Sequence, residues 1–175
     1  MRILMTLVTA TAVMLGGFMK VQADRVSRQT FVAHVLPRVS VKSPPRGATS
    51  ILDPSQVHVQ FTQQDWDVTT NSLSGATIQF VTEHSFHNQN HSNIRRDAQL
   101  ELRILSQSKS GTWTVTQPSG VTNHELGQEL ATVQVNSISP GFAVVGLTVT
   151  FLQGASLSTP DGDYETTVIG TITAN

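Results

Sequence analysis

The chain has 175 residues, no cysteine and a formal net charge of −1, with eleven basic residues against twelve acidic ones. A chain without cysteine has no disulfides, no thiolate metal sites and no cysteine nucleophile. Nucleic-acid binding depends on clustered Lys and Arg that contact phosphates, so this charge balance predicts no nucleic-acid partner.

The N-terminus has the three parts of a secretory signal peptide. Arg2 is the charged start, residues 3–19 carry no charge, and Val21-Gln22-Ala23 is an exit of small or modest residues. We predict that residues 1–23 are removed by cleavage after Ala23, with an uncleaved anchor as the alternative. The uncharged run is shorter than the roughly 20 apolar residues of a membrane helix. We therefore expect a secreted, periplasmic or cell-surface protein without a membrane span after processing.

Residues 24–56 are predicted to form a basic, proline-bearing arm or edge segment. Within residues 24–50, five basic residues stand against Asp24 alone, whereas residues 51–175 carry four basic and eleven acidic residues. A basic arm on an acidic body can dock back on the body or contact an acidic partner surface. Solubility alone also accounts for the asymmetry. The segment holds four prolines, at positions 37, 44, 45 and 54, and a proline has no backbone N–H to donate to a neighbouring strand.

Alternation of apolar and polar residues recurs along the rest of the chain, with no convincing helical periodicity beyond a short turn near residues 125–130. Branched and aromatic residues fill these segments, and turn-forming residues separate them. The pattern predicts eight strands: Val39–Lys42, Val57–Phe61, Ala76–Val81, Leu100–Ile104, Trp113–Val115, Thr132–Val135, Val145–Phe151 and Tyr164–Thr173.

Seven or eight short strands without intervening helices indicate two antiparallel sheets packed face to face. We predict an all-β, immunoglobulin-like antiparallel β-sandwich with its body over residues 57–175. A β-barrel is the alternative, since the sequence pattern separates these two architectures poorly. The absence of cysteine from an exported domain suits a bacterial surface protein.

A histidine-rich stretch is the first candidate for chemistry. Glu83, His84, His87 and His91 lie within nine residues, and imidazoles with a carboxylate are the ligands that zinc or copper takes. His84 and His87 would need a bend in the chain to meet at one ion. A solvated, asparagine-rich surface loop is the alternative interpretation, so no metal or other cofactor is predicted.

Two carboxylate pairs are the second candidate. Asp65 and Asp67 flank Trp66, which is either a sugar-stacking platform or a core aromatic on a half-buried strand. Asp161 and Asp163 lie in a Pro-Asp-Gly turn, where Asp is favoured for local backbone hydrogen bonds. We favour the core interpretation for Trp66 and keep it as the carbohydrate-binding candidate.

Motifs of catalysis are missing. His124-Glu125-Leu126-Gly127-Gln128 has Gln where the helical zinc-protease motif needs its second histidine. No nucleophile elbow, phosphate-binding glycine loop or dinucleotide fingerprint is present. The sequence therefore predicts no catalytic residues and a protein that is not an enzyme.

The C-terminal segment carries one resemblance. Residues 160–175 place a Pro-x-Gly-x-Tyr turn, Pro160 to Tyr164, before a final strand rich in Thr and Val. This ending resembles exported bacterial pilin-like subunits, especially those of the spore coat protein U type. The resemblance implies an immunoglobulin-like sandwich that assembles on the cell surface through donated strands. Those subunits commonly carry a disulfide, which this chain lacks.

Taken together, export, strands and missing catalytic motifs predict a non-enzymatic structural or adhesive subunit of a surface layer or fibre. Self-association or a contact with another surface subunit would occur by strand addition, with the basic arm around residues 26–35 as the donor. The alternative is a small secreted β-sandwich module that binds carbohydrate through Trp66 or metal through the histidine-rich stretch.

Overall fold

The computed structural model describes residues 28–51, 56–109, 113–153 and 159–175. The predicted signal peptide and its cleavage site lie outside these residues. Val35–Asn175 form one compact unit. Residues 28–34, which precede it, are exposed and have no regular secondary structure. Within the described part of the chain, no helix has the length and apolar character needed to cross a membrane.

The described residues form twelve strands and one short 3₁₀ helix, His124–Leu126. The strands are β1 Val39–Lys42, β2 His58–Gln60, β3 Gln64–Thr70, β4 Ala76–Thr82, β5 Phe86–Asn88, β6 Arg95–Gln107, β7 Trp113–Gln117, β8 Ser119–Val121, β9 Thr132–Ser137, β10 Gly141–Leu152, β11 Tyr164–Glu165 and β12 Val168–Ala174.

The strands make two sheets, and every pairing is antiparallel. The first sheet has the order β1-β3-β10-β6-β5-β11, with β2 also beside β10 and β8 also beside β6. The second sheet has the order β12-β4-β9-β7. The predicted all-β antiparallel sandwich is confirmed, although it has more strands than the seven or eight expected.

Alternation of apolar and polar residues does not predict three of the additional strands. β3 contains Asp65 and Asp67, a residue type that strands disfavour, yet it turns both outward and turns Trp66 and Val68 inward. β5 is only three residues long and lies in the stretch that resembles a polar loop. β8 follows Pro118 directly, within the segment where the sequence predicts a turn.

The segment around Pro118 carries the chain from one sheet to the other. β7 pairs with β9 in the second sheet, whereas β8 pairs with β6 in the first. The backbone N–H of Leu102 donates to the carbonyl of Pro118 at 2.8 Å. This hydrogen bond closes one side of the sandwich because it joins β6 to the crossing point.

The last predicted strand, Tyr164–Thr173, is also divided between the sheets. β11 pairs with β5 in the first sheet and β12 pairs with β4 in the second. At the bend between them, the N–H of Glu83 donates to the carbonyl of Thr167 at 2.8 Å. β4 and β5 therefore run beside β11 and β12 as one bent ribbon that joins the two layers.

The interior formed by the described residues consists of two apolar clusters. The larger one fills the space between the sheets with thirteen buried residues, among them Ile78, Phe80, Leu100, Val133 and Val145. The smaller one contains Val59, Phe86, Ala98 and Phe151 beneath the bent ribbon. Val149 packs against both clusters, so the two are continuous at β10.

Gly120 marks a point where the two sheets touch through their backbones. A Cβ atom at this position would lie 2.3 Å from the carbonyl oxygen of Thr132 on β9. The clashing atom belongs to a backbone in the opposite sheet, so a side-chain rotation cannot relieve the contact. The sandwich thus needs a residue without a side chain at this position.

Gly120→Ala is therefore expected to lower the free energy of unfolding by about 1–3 kcal/mol, because overpacking typically costs that much. Urea unfolding followed by circular dichroism measures this change. Gly47→Ala is the matched control, since no atom lies within 4 Å of the added Cβ. We expect the control to change stability by less than about 0.5 kcal/mol. Equal stability of the two variants would contradict the proposed backbone contact.

Candidate functional site

A bend between β4 and β5 brings two histidines of the predicted stretch together. The bend covers residues 83–85, and the hydroxyl of Thr166 donates to the carbonyl of His84 at 2.6 Å. The rings of His84 and His87 meet edge to face with their centroids 4.5 Å apart. Their Nδ1 atoms are 3.3 Å apart, and both side chains are half-buried. The required bend thus exists.

Glu83 and His91 do not join this pair. Both residues are exposed, and their side chains form no hydrogen bond or ion pair with described residues. The backbone N–H of His91 donates to the side-chain oxygen of Asn88, the last residue of β5, at 3.1 Å. Across the described ranges, no group of three or more His, Asp and Glu side chains is arranged to hold a metal ion.

A hydrogen-bonded carboxylate, Glu129, supports the bend from the opposite side. One of its oxygens accepts from the N–H of Ser85 at 3.0 Å and from the Ser85 hydroxyl, and the other pairs with Arg95. Ser85 is fully buried. The sequence gives no sign of this cluster, because Glu129 lies 44 residues from Ser85 and 34 from Arg95 along the chain.

The pKa of the Glu129 carboxyl lies below its ordinary value of 4.5. Burial is the largest influence and raises the pKa, but the hydrogen bonds from Ser85 and Arg95, with the charge of Arg95, together outweigh it. Because the pKa is lower in the folded chain than in the unfolded one, the ionised carboxylate stabilises the fold. This stabilisation is complete above about pH 4.5 and is lost as the pH falls through the folded-state pKa.

Glu129→Gln is expected to lower the free energy of unfolding at pH 7 by about 1–2 kcal/mol, since it removes charge-assisted hydrogen bonds to a buried serine. The difference from wild type should shrink as the pH falls below about 4.5. Urea unfolding at pH 7, 5, 4 and 3 measures it. Glu125→Gln, at an exposed carboxylate without a hydrogen bond in the described structure, is the control. A Glu129 effect that is constant with pH would contradict this role.

Trp66 points into the sandwich. It lies on the inner face of β3 and meets Phe80 of the opposite sheet edge to face, with ring centroids 5.0 Å apart. Its indole N–H is buried and has no hydrogen-bond partner among the described residues. Trp113 is also buried, at 3% exposure. Neither tryptophan stacks outward on a sheet face, which is the placement that sugar binding through Trp66 would use.

Trp66 also lines an apolar cleft between the sheets. The cleft has a volume of about 390 Å³, and residues 43–48, which follow β1, form one wall. The charged residues Glu165 and Arg46 also line the cleft, together with Gln64. Most of its remaining surface comes from hydrophobic side chains, namely Phe61, Trp66, Phe86, Leu147, Val149 and Val168. The cleft therefore opens directly onto the interior.

The Asp161-Gly162-Asp163 turn is held by structural contacts. Gly162 has φ of 130°, and a Cβ there would lie 2.5 Å from the side-chain nitrogen of Asn88. This buried amide donates to the carbonyl of Asp161 at 3.2 Å. The hydroxyl of Tyr164 donates to the carbonyl of Pro160 at 3.0 Å, which is the geometry of a tyrosine corner. The turn thus positions the start of β11.

β12 is an edge strand with a free side. Two backbone hydrogen bonds show which residues of this segment bond to the β4 side. The N–H of Glu83 donates to the Thr167 carbonyl, and the N–H of Asn175 donates to the Gly75 carbonyl. By alternation, the backbone groups of residues 168, 170, 172 and 174 point to the other side. No described strand pairs with them. β1 lies near β12 but pairs with β3 instead.

The arm that precedes β1 exposes large apolar side chains. Phe31, Val32, Val35 and Leu36 are 84%, 73%, 81% and 78% exposed. The arm joins the sandwich at a turn in which the N–H of Asn71 donates to the carbonyl of Arg38 at 3.0 Å. The Asn71 side chain donates to the carbonyl of Leu36 at 3.1 Å. The base of the arm is therefore fixed, while its apolar residues stay uncovered.

Comparison with known proteins adds no assignment, since the sequence matches no protein-family model and no curated protein is significantly similar to it.

Proposed function

We propose that this protein is an exported, non-enzymatic structural or adhesive subunit of a bacterial surface layer or fibre, and that copies join by strand addition. The observation that carries this proposal is the exposed apolar arm, residues 30–36. Concentrated exposure of large apolar side chains marks an interaction surface. The sandwich that follows the arm along the chain has a well-filled core of its own.

The arm has the pattern of a strand that would be half-buried in a partner. In extended conformation Phe31, Ala33 and Val35 share one face, and Val32, His34 and Leu36 share the other. An added strand gains main-chain hydrogen bonds from the edge that it joins and places alternate side chains in pockets. Arg28 and Arg38 flank the arm, and their positive charge suits an acidic receiving surface.

β12 supports the proposal as the receiving edge. Its free side offers the backbone N–H and C=O groups of four residues. Val168, the first residue of β12, lines the apolar cleft. Glu165 and Arg46 place one negative and one positive charge in the same lining. An incoming strand would continue the second sheet and place apolar side chains toward Trp66.

The base of the arm and the cleft lie at opposite ends of β1. The base of the arm, at Leu36 and Arg38, is bonded to Asn71, next to the C-terminal Asn175. The cleft lies beyond the other end of β1, which with its flanking residues spans roughly 17 Å. A contact from one end of a copy to the other end of the next is heterologous, and such contacts build open filaments rather than closed dimers.

Deletion of residues 24–36 is expected to abolish assembly and to leave the stability of the monomer unchanged. Sedimentation velocity and electron microscopy report assembly, and urea unfolding reports stability. A second variant with Phe31→Ser and Val35→Ser should behave in the same way. Its control replaces two exposed apolar residues outside the arm, Ile51→Ser and Leu73→Ser, which are 94% and 89% exposed. Assembly that persists without the arm would overturn the donor role.

The receiving edge can be tested separately because the chain has no native cysteine. Val32→Cys protein is mixed with Thr171→Cys protein and treated with a short thiol-reactive cross-linker. We expect a cross-linked pair with Thr171→Cys, on β12, and none with Thr114→Cys, which lies exposed on β7 at the opposite edge of the same sheet. Cross-linking through Thr114 alone would keep strand addition but assign it to β7.

A further inference from the structure

We infer that His84 and His87 form a two-histidine site for a divalent transition-metal ion, with copper bound most tightly. This inference is independent of assembly. The two Nδ1 atoms are 3.3 Å apart, and the Nδ1 of His84 is 2.8 Å from the carbonyl oxygen of Ser85. Two imidazole nitrogens and a carbonyl oxygen, each able to present a lone pair, therefore lie within one small volume.

These separations are those of neighbouring ligands on one ion. With metal–nitrogen bonds of 2.0–2.1 Å, two nitrogens lie about 3.3 Å apart at the tetrahedral angle and about 2.9 Å apart at a right angle. The two observed separations fall close to these two values. Side-chain rotation alone would then complete the approach, and water would occupy the remaining ligand positions.

Hydrogen bonding between the two rings explains the contact less well. The Nδ1–H of His84 donates to the carbonyl of Ser85 at 2.8 Å, so this proton is not free to point at His87. A protonated Nδ1 on His84 also cannot accept a hydrogen bond from His87. An ion would take the place of that proton, and neutral His84 would carry its hydrogen on Nε2 instead.

The surroundings hold the pair in place and balance the charge. The backbone on either side of His84 is held by Thr166 and, through Ser85, by Glu129. In the strand register, His87 lies between Arg95 on β6 and Glu165 on β11. Arg95 is already paired with Glu129, so Glu165 adds a negative charge that favours a bound cation.

The ligand set indicates the metal. Two imidazoles, a carbonyl and water contain no thiolate, and the pair lacks a third imidazole or carboxylate among the described residues. For such nitrogen and oxygen donors, affinity rises to Cu²⁺ and falls again at Zn²⁺. We expect Cu²⁺ to bind at least tenfold more tightly than Zn²⁺.

The test is calorimetric titration of tag-free protein with Cu²⁺ and with Zn²⁺, together with electron paramagnetic resonance of the copper form. We expect one Cu²⁺ per chain, at least a tenfold loss of affinity in His84→Ala and in His87→Ala, and no change in His91→Ala. His91 is the matched control because it lies in the same stretch and is exposed. The copper spectrum should show nitrogen ligation from two imidazoles.

Two results would overturn the inference. One is the absence of stoichiometric copper binding by the wild-type protein. The other is an equal loss of affinity in His91→Ala, which would show binding to surface histidines at large. The wild-type spectrum counts the imidazole nitrogens on copper without any substitution, so it still tests for two-histidine ligation if a His84 or His87 variant fails to fold.

Discussion

The packing of two apolar sheet faces against each other is the constraint on which this molecule depends. The chain has no cysteine, so burial of hydrophobic surface and backbone pairing must hold the layers together. Large residues of both sheets, such as Phe80 on one and Leu100 on the other, are completely buried. This packing is continuous because Val149 connects the larger cluster with the smaller one.

Two crossings adapt the chain to that constraint. At Pro118 a residue without a backbone N–H stands between strands of different sheets, and Gly120 then allows the backbones to touch. At Thr166 and Thr167 the last part of the chain leaves the first sheet for the second. The second crossing also produces the bend at residues 83–85, because the ribbon must turn as a unit.

The candidate surfaces are consequences of the same architecture. The bend that lets the ribbon join both layers also folds His84 onto His87, three residues apart. The order of the second sheet leaves β12 at an edge, and the interior opens beside it at the cleft lined by Trp66. Packing thus places a histidine pair, a free edge and an apolar cleft close to one ribbon.

The sequence by itself determined the local elements of this fold. Alternation in segments such as Leu100–Ile104 specifies a strand with one buried face, because side-chain direction has a period of two in every extended chain. The turn at Pro160–Tyr164 is local only in part: the Tyr164 hydroxyl bonds to the Pro160 carbonyl, whereas Asn88 holds the turn from 73 residues away along the chain. The basic charge of residues 24–50 also follows from the sequence alone, because charge and proline content do not depend on neighbours in space.

Only the tertiary structure decided which strands pair and which side chains meet. β3 and β5 become strands through their neighbours, although Asp65, Asp67 and His87 contribute little strand preference of their own. The contact of Glu129 with Ser85 joins residues 44 positions apart, and no local pattern encodes such a distance. Of four candidate metal ligands the fold brings together His84 and His87, because the direction of a bend is set by the sheets that it connects.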